Sequence, residues 1–236
     1  MLNELRPFFN RLLTPAGEAL ARTPVTPNAV TVTGTVGVAA STLWLYPAGH
    51  LFIGTIVATG FVFLDMLDGV LARLKGTSGA WGAFLDSTMD RVADAAVFSG
   101  LAAWFILGGH SRLLAAVAIF CLVSGALVSY VKARAEGLGI RANVGIAERP
   151  ERMLITFVTT GLSGLGVPYV LPAGLWILAV ASVVTLGQRV LAVRRGMAAA
   201  AAARTPEPGP AAGAGPAAGA GPAAGAGPKA TRGTGG

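Results

Sequence analysis

The stretch DMLDGVLARLKGTSGAWGAFLDSTMD, Asp65 to Asp90, places four carboxylates on either side of a glycine-rich bend in a chain otherwise too apolar to welcome them. Asp65 and Asp68 precede the bend, three residues apart. Asp86 and Asp90 follow it, four apart, and Asp94 repeats that spacing. On helices each pair shares a face. The chain has 236 residues and no other aspartate. Ionisable groups in membrane-grade surroundings are costly, so their concentration here marks a functional site.

Outward from the bend, the composition is 53% hydrophobic and 12% charged, with a mean hydropathy of +0.65. An ordinary soluble domain has roughly a quarter of its residues charged. The fold class is therefore all-α integral membrane. Apolar stretches of about the twenty residues needed to span run near 28–47, 51–72, 80–107, 112–133, 153–168 and 170–190. They predict six transmembrane helices. Gly161, Gly164, Gly166, Pro168 and Pro172 crowd the division between the last two, which leaves a count of five open. Residues 1–22 set Glu4, Arg6, Arg11 and Glu18 among Leu2, Leu5, Phe8, Phe9, Leu12 and Leu13, a pattern for an interfacial amphipathic helix rather than a cleaved signal peptide. The membrane domain then covers 23–196. The Ala/Gly/Pro-rich remainder, 197–236, is expected to be a disordered tail without a catalytic role.

Arg6, Arg11, Arg22, Arg73, Lys75, Lys132, Arg134, Arg141, Arg149, Arg189, Arg194 and Arg195 fall on one side of these spans, and only Arg112 falls clearly on the other. Basic residues gather on the cytoplasmic side, so both termini and the aspartate bend are predicted to face the cytoplasm. The net charge of +7 then meets anionic lipid headgroups, and no nucleic-acid partner is implied. Cys121 is the single cysteine, which excludes an intrachain disulfide or a cysteine metal cluster and suits packing. His50 and His110 flank apolar runs on the opposite side and read as loop residues.

Four carboxylates drawn together across a bend repel one another unless protons or cations neutralise them. Hard divalent cations are the natural partners, because Mg²⁺ takes carboxylate and water oxygens and is commonly completed by substrate phosphates. Two such ions could clamp a pyrophosphate. Gly69 would admit a phosphate close to the helix backbone, Arg73 could neutralise it, and Gly82 would let two helices pack closely. Asp94 would pair with Arg91 or Arg73, or support this set from outside.

Asp65, Asp68, Gly69, Ala72, Arg73, Gly82, Asp86 and Asp90 match every fixed position of D-x2-D-G-x2-A-R-x8-G-x3-D-x3-D. In this the chain resembles the CDP-alcohol phosphotransferase family over roughly residues 20–195. The resemblance implies two metals per active site, Mg²⁺ with Mn²⁺ as a substitute. Asp65, Asp68 and Asp86 would hold one, and Asp65, Asp86 and Asp90 the other, while Asp90 takes the proton of the attacking hydroxyl. It also implies nucleotide contacts at Asn28, Ala29, Val30 and Thr31, and at Gly69 and Arg73. A hydroxyl residue is usual three positions before the central glycine. Here Gly79 stands there, preceded by Ser78 and Thr77, so that contact passes to a neighbour or to the backbone.

The segments SYVKARAEGLG and IAERPERM, with QRV near the end of the last span, are similar to the branch that makes phosphatidylinositol phosphate. On that resemblance Lys132, Arg152 and Arg189, helped by Ser129, would grip the phosphate of an inositol phosphate. The implied reaction transfers the phosphatidyl group of CDP-diacylglycerol to 1D-myo-inositol 3-phosphate and releases CMP. It would run in a bacterial plasma membrane, in a homodimer surrounded by lipid. Glycerol 3-phosphate as acceptor is the alternative, and a divalent-cation transporter the remote one, since transport explains the carboxylates but not Gly69, Arg73 and Gly82 at fixed spacing.

Overall fold

The computed structural model describes residues 6–140, 142 and 144–202, which form seven helices and no strand. They are α1 (Arg6–Ala21), α2 (Pro27–Leu45), α3 (Leu51–Leu74), α4 (Ala80–Leu107), α5 (Arg112–Gly137), α6 (Arg149–Gly164) and α7 (Val170–Ala202). Helix starts follow local chemistry. Thr26 caps α2, its Oγ1 accepting from the Ala29 amide at 3.2 Å, with Pro27 in the first turn where its missing N–H costs nothing. Ser111 caps α5 in the same way. The aspartate stretch is the end of α3, a turn, and the start of α4. Gly76 makes that turn possible, because its φ of +63° is a conformation that side-chain-bearing residues resist.

Six helices close into a ring: α2 packs on α3 and α4, α4 on α5, α5 on α7, α7 on α6, and α6 back on α3, with α1 laid against α3. The ring is apolar outside, where Val36, Leu43, Ile53, Ile56, Phe120 and Val180 are exposed. Inside, Val97, Phe98, Leu101, Leu171, Leu175 and Leu178 are fully buried together with Thr42, Thr156, Ser182 and Thr185. Small residues set the spacing, as expected where lipid tails remove any hydrophobic gain from helix contact. A Cβ on Gly100 would stand 2.5 Å from the Thr42 carbonyl oxygen, and one on Gly17 would stand 2.6 Å from Val70 of α3. Gly34 and Gly37 likewise press on Asp65 and Phe61 of α3. Gly34, Gly37 and Gly100 are thus used for helix contacts within the chain.

Three described helices are long and apolar enough to cross a membrane: Leu51–Leu74, Arg112–Gly137 and Val170–Ala200. The others fall short for visible reasons. The first half of α4 carries Asp86, Asp90, Arg91 and Asp94, and α6 has 16 residues. The boundary between α6 and α7 is now fixed at 165–169, where Gly166 and Tyr169 both take positive φ, so six helices follow α1 rather than five. One domain boundary moves. The expected tail from 197 is helical as far as Ala202, because its alanine run has the highest helix propensity. The remainder of that tail, residues 1–5, the apolar pattern read up to Leu13 and the predicted anchor Arg141 lie outside the described side chains.

Candidate active site

Helices α3 and α4 bring Asp65, Asp86 and Asp90 together, with one carboxylate oxygen from each within 4.8 Å of the others. Their approach depends on α2. Gly34 lies against Asp65, and a Cβ there would stand 2.9 Å from the Asp65 Cβ. Asp68, one turn further along α3, is held slightly apart: its Oδ2 accepts a 2.5 Å hydrogen bond from Thr31 Oγ1 of α2. The signature carboxylates therefore form a cluster of three with a fourth beside it.

The three-carboxylate cluster fits a divalent cation on two counts. Its donors are all hard carboxylate oxygens, with no cysteine or histidine among them. In addition, Asp65 Oδ1 is buried and has no hydrogen-bond partner among the described residues. A buried anionic oxygen left so is expensive unless a cation approaches it.

Against the cluster lies a cavity of about 500 Å³ lined by Asn28, Thr31, Asp68, Gly69, Arg73, Thr77, Ser78, Gly79, Gly82 and Asp86, among others. It joins the cap of α2, the last turns of α3 and the start of α4. Most of the predicted nucleotide contacts meet here. Ala29 and Val30 do not line it: Ala29 is exposed and gives its amide to the Thr26 cap, and Val30 is buried in the helix packing. Gly82 serves the cavity rather than a helix crossing, since a Cβ on it would meet only Asn28 Oδ1, at 3.9 Å. A Cβ on Gly69 would come 3.7 Å from Arg73 Nη1, so the Arg73 guanidinium lies back along the bare glycine face. Lys75, expected only as an anchor, donates to the carbonyls of Thr23 and Val25 at 2.8 Å each and ties the loop before α2 to the end of α3.

The second basic set is less open than its sequence implies. Arg152 is 2% exposed, with Nη2 2.5 Å from Asp94 Oδ2 and Nη1 donating to the Gly125 carbonyl at 3.2 Å. Arg189 is equally buried and holds the segment before α6, donating to the carbonyls of Val144 and Val128 at 2.9 and 2.7 Å, with Glu148 at 3.5 Å. Ser129 accepts from Arg91 and donates to the Gly125 carbonyl. Lys132 is half-buried and makes no hydrogen bond or ion pair among the described residues. Asp94 pairs with Arg149 and Arg152, not with Arg91 or Arg73: the first turn of α6 carries both arginines, and their long side chains bring two guanidiniums to its buried carboxylate.

Arg149 is the residue that sequence reasoning undervalued. Its Nη1 lies 2.7 Å from Asp90 Oδ1, in the cluster itself. The available signal was a matching ladder, two arginines three apart at 149 and 152 against two aspartates four apart at 90 and 94.

Residues 24–187 match the family model for CDP-alcohol phosphatidyltransferases. The phosphatidylinositol phosphate synthase of Streptomyces avermitilis is 52% identical over 215 residues, covering 88% of each chain. That of Mycobacterium marinum is 44% identical over 191 residues, covering 80% of this chain and 82% of its own. Among solved structures, Mycobacterium tuberculosis phosphatidylinositol phosphate synthase with CDP-DAG bound superposes with a TM-score of 0.74 at 44% identity, covering 78% of this chain and 94% of that one. Its complex with manganese and citrate gives 0.74 at 43% identity, with 77% and 88% covered.

Proposed function

The chain belongs to the CDP-alcohol phosphatidyltransferase family, and from that premise we propose that it transfers the phosphatidyl group of CDP-diacylglycerol to 1D-myo-inositol 3-phosphate, giving phosphatidylinositol phosphate and CMP. One observation carries the reading: the carboxylate cluster of Asp65, Asp86 and Asp90 meets, through Asp86, a cavity of about 500 Å³ that Asp68 also lines. That is the arrangement a pyrophosphate-bearing donor requires. The names of the relatives point to the acceptor, and the bound CDP-DAG and manganese of the Mycobacterium tuberculosis enzyme point to the donor and the metal type.

Asp65, Asp68, Asp86 and Asp90 would hold two divalent cations, Mg²⁺ or Mn²⁺. Ions so placed stabilise the negative charge that gathers on the pyrophosphate oxygens. The chain's own residues do the rest. Asn28, Gly69 and Arg73 seat the nucleotide end, with Arg73 as the counter-charge and Gly69 leaving room for a phosphate. Asp90 accepts the proton of the inositol hydroxyl as its oxygen bonds to the lipid-side phosphorus, and the bond to the CMP oxygen breaks. No enzyme side chain bonds to phosphorus. Lys132, with Ser129 three residues before it on α5, is the open cation for the acceptor's phosphate, and Arg152 and Arg189 are buried against the same helix, on the Gly125 and Val128 carbonyls.

In this reading all six helices of the ring cross the membrane of a bacterial cell, α1 lies along its surface, and the site opens to the cytoplasm, where the soluble acceptor is found. The concentration of Arg and Lys at that end supports the orientation. The active unit is a homodimer, as the family resemblance implies. The test is CMP release from CDP-diacylglycerol by the purified protein with Mg²⁺, with inositol phosphate, free inositol and glycerol 3-phosphate in parallel. Release with inositol phosphate alone is expected. Release with glycerol 3-phosphate instead would reassign the acceptor.

A further inference from the structure

We infer that Arg149 is a positioning residue for Asp90, and that Asp94 and Arg152 hold Arg149 to that task; the inference rests on the proposed transfer reaction for its kinetic readout. One guanidinium bridges two carboxylates on α4, with Nη1 2.7 Å from Asp90 Oδ1 and Nε 3.1 Å from Asp94 Oδ1. Only a planar fork can serve both at once, so lysine is a poor substitute. The second oxygen of Asp94 is taken by Arg152 at 2.5 Å, and Arg152 rests on the Gly125 carbonyl of α5. Gly125 has no room for a Cβ, which would stand 2.6 Å from Arg152 Cζ.

The chain of contacts thus runs from a sealed end to an open one. The Asp94 and Arg152 side chains are 5% and 2% exposed, whereas those of Asp90 and Arg149 are 17% and 26% exposed. A buried pair with good geometry is rigid, and breaking it by removing one partner is strongly unfavourable. Its rigidity passes to Arg149 through Asp94. Asp90 needs such a hold, because Asp65 and Asp86 crowd it with like charge, and its other cation, Arg91, reaches only 3.6 Å from Oδ2. With Oδ1 fixed by Arg149, the carboxylate plane is set, and Oδ2 is left to face the cluster and the attacking hydroxyl.

The experiment measures kcat, the KM for CDP-diacylglycerol and, without acceptor, Mn²⁺ affinity by electron paramagnetic resonance. The proteins are the full-length wild type, Arg149→Lys, Arg149→Ala, Asp94→Asn and the double variant Arg149→Ala/Asp94→Asn. We expect Arg149→Ala to lower kcat by roughly 10- to 100-fold, the scale of a displaced reacting group, with the KM for CDP-diacylglycerol unchanged. Mn²⁺ should bind the Arg149→Ala protein as tightly as wild type or more tightly, since a competing cation has left the carboxylates. Arg149→Lys should recover part of kcat, and the double variant should be no slower than Arg149→Ala. A near-normal kcat in Arg149→Ala, losses that multiply in the double variant, or Mn²⁺ affinity falling in step with kcat would overturn the assignment. The Mn²⁺ comparison reads Arg149 without any turnover, whereas absence of CMP release by the wild type would count against the transfer reading alone.

Discussion

Asp90 is the residue on which the chemistry turns, because it lies in the carboxylate cluster and is also gripped by a cation of α6. Asp90→Asn keeps the shape and removes the proton acceptor, so kcat should fall by about 10²- to 10⁴-fold, the usual weight of a general base, while CDP-diacylglycerol binding persists. Steady-state kinetics paired with a binding assay on the same protein checks both parts. Asp65 carries a different load, since its buried Oδ1 lacks any protein partner among the described residues. Asp65→Asn should weaken Mn²⁺ binding markedly with little loss of folding stability, measured by titration and by thermal melting. That these carboxylates form a functional site was legible in the sequence because such groups are rare and costly in apolar surroundings; the separate roles of Asp65 and Asp90 are what the family resemblance implies. The part of Arg149 was not legible, because an arginine at a helix end has a sufficient explanation as a membrane anchor, and only the folded chain shows its side chain reaching Asp90 and Asp94 of α4.

Between elements, the site depends on two glycines that bring helices closer than a methyl group allows. Gly34→Ala would set its Cβ 2.9 Å from the Asp65 Cβ and 3.2 Å from backbone atoms of α3, which cannot yield as a flexible side chain can. The expected result is α3 displaced from α2, a loss of about 1–3 kcal/mol, and weaker Mn²⁺ binding alongside the lower melting temperature. Gly125→Ala, pressed on the Arg152 guanidinium, should cost stability on the same scale and lower kcat, with the KM for CDP-diacylglycerol unaffected because no residue of α5 lines the nucleotide cavity. Helix existence was readable from apolar run lengths, and the bend from its glycines. Helix ends were less so: α6 begins at Arg149, ahead of the apolar stretch, with Pro150 in its first turn, and α7 runs into the alanines before the tail.

For the molecule as a whole, the ring places like charges at one end of an apolar barrel, and divalent ions should stabilise the folded protein by linkage. An ion at a hundred times its dissociation constant adds about 2.7 kcal/mol. The purified protein should therefore melt higher in Mg²⁺ than in a chelator, and Asp65→Asn should lose most of that difference. The sequence predicted a ring's worth of helices and the identity of its charged end. It could not predict which helices touch, since the closure of α6 on α3 joins segments about a hundred residues apart and left no local pattern. The most direct test of phosphatidyl transfer follows isotopically labelled inositol phosphate into lipid, in the presence of CDP-diacylglycerol and Mg²⁺, for wild type and Asp90→Asn. Labelled lipid formed in equal amount to CMP by the wild type, and none by Asp90→Asn, is the predicted result; a folded wild type that binds CDP-diacylglycerol yet leaves all label in the aqueous phase would contradict it.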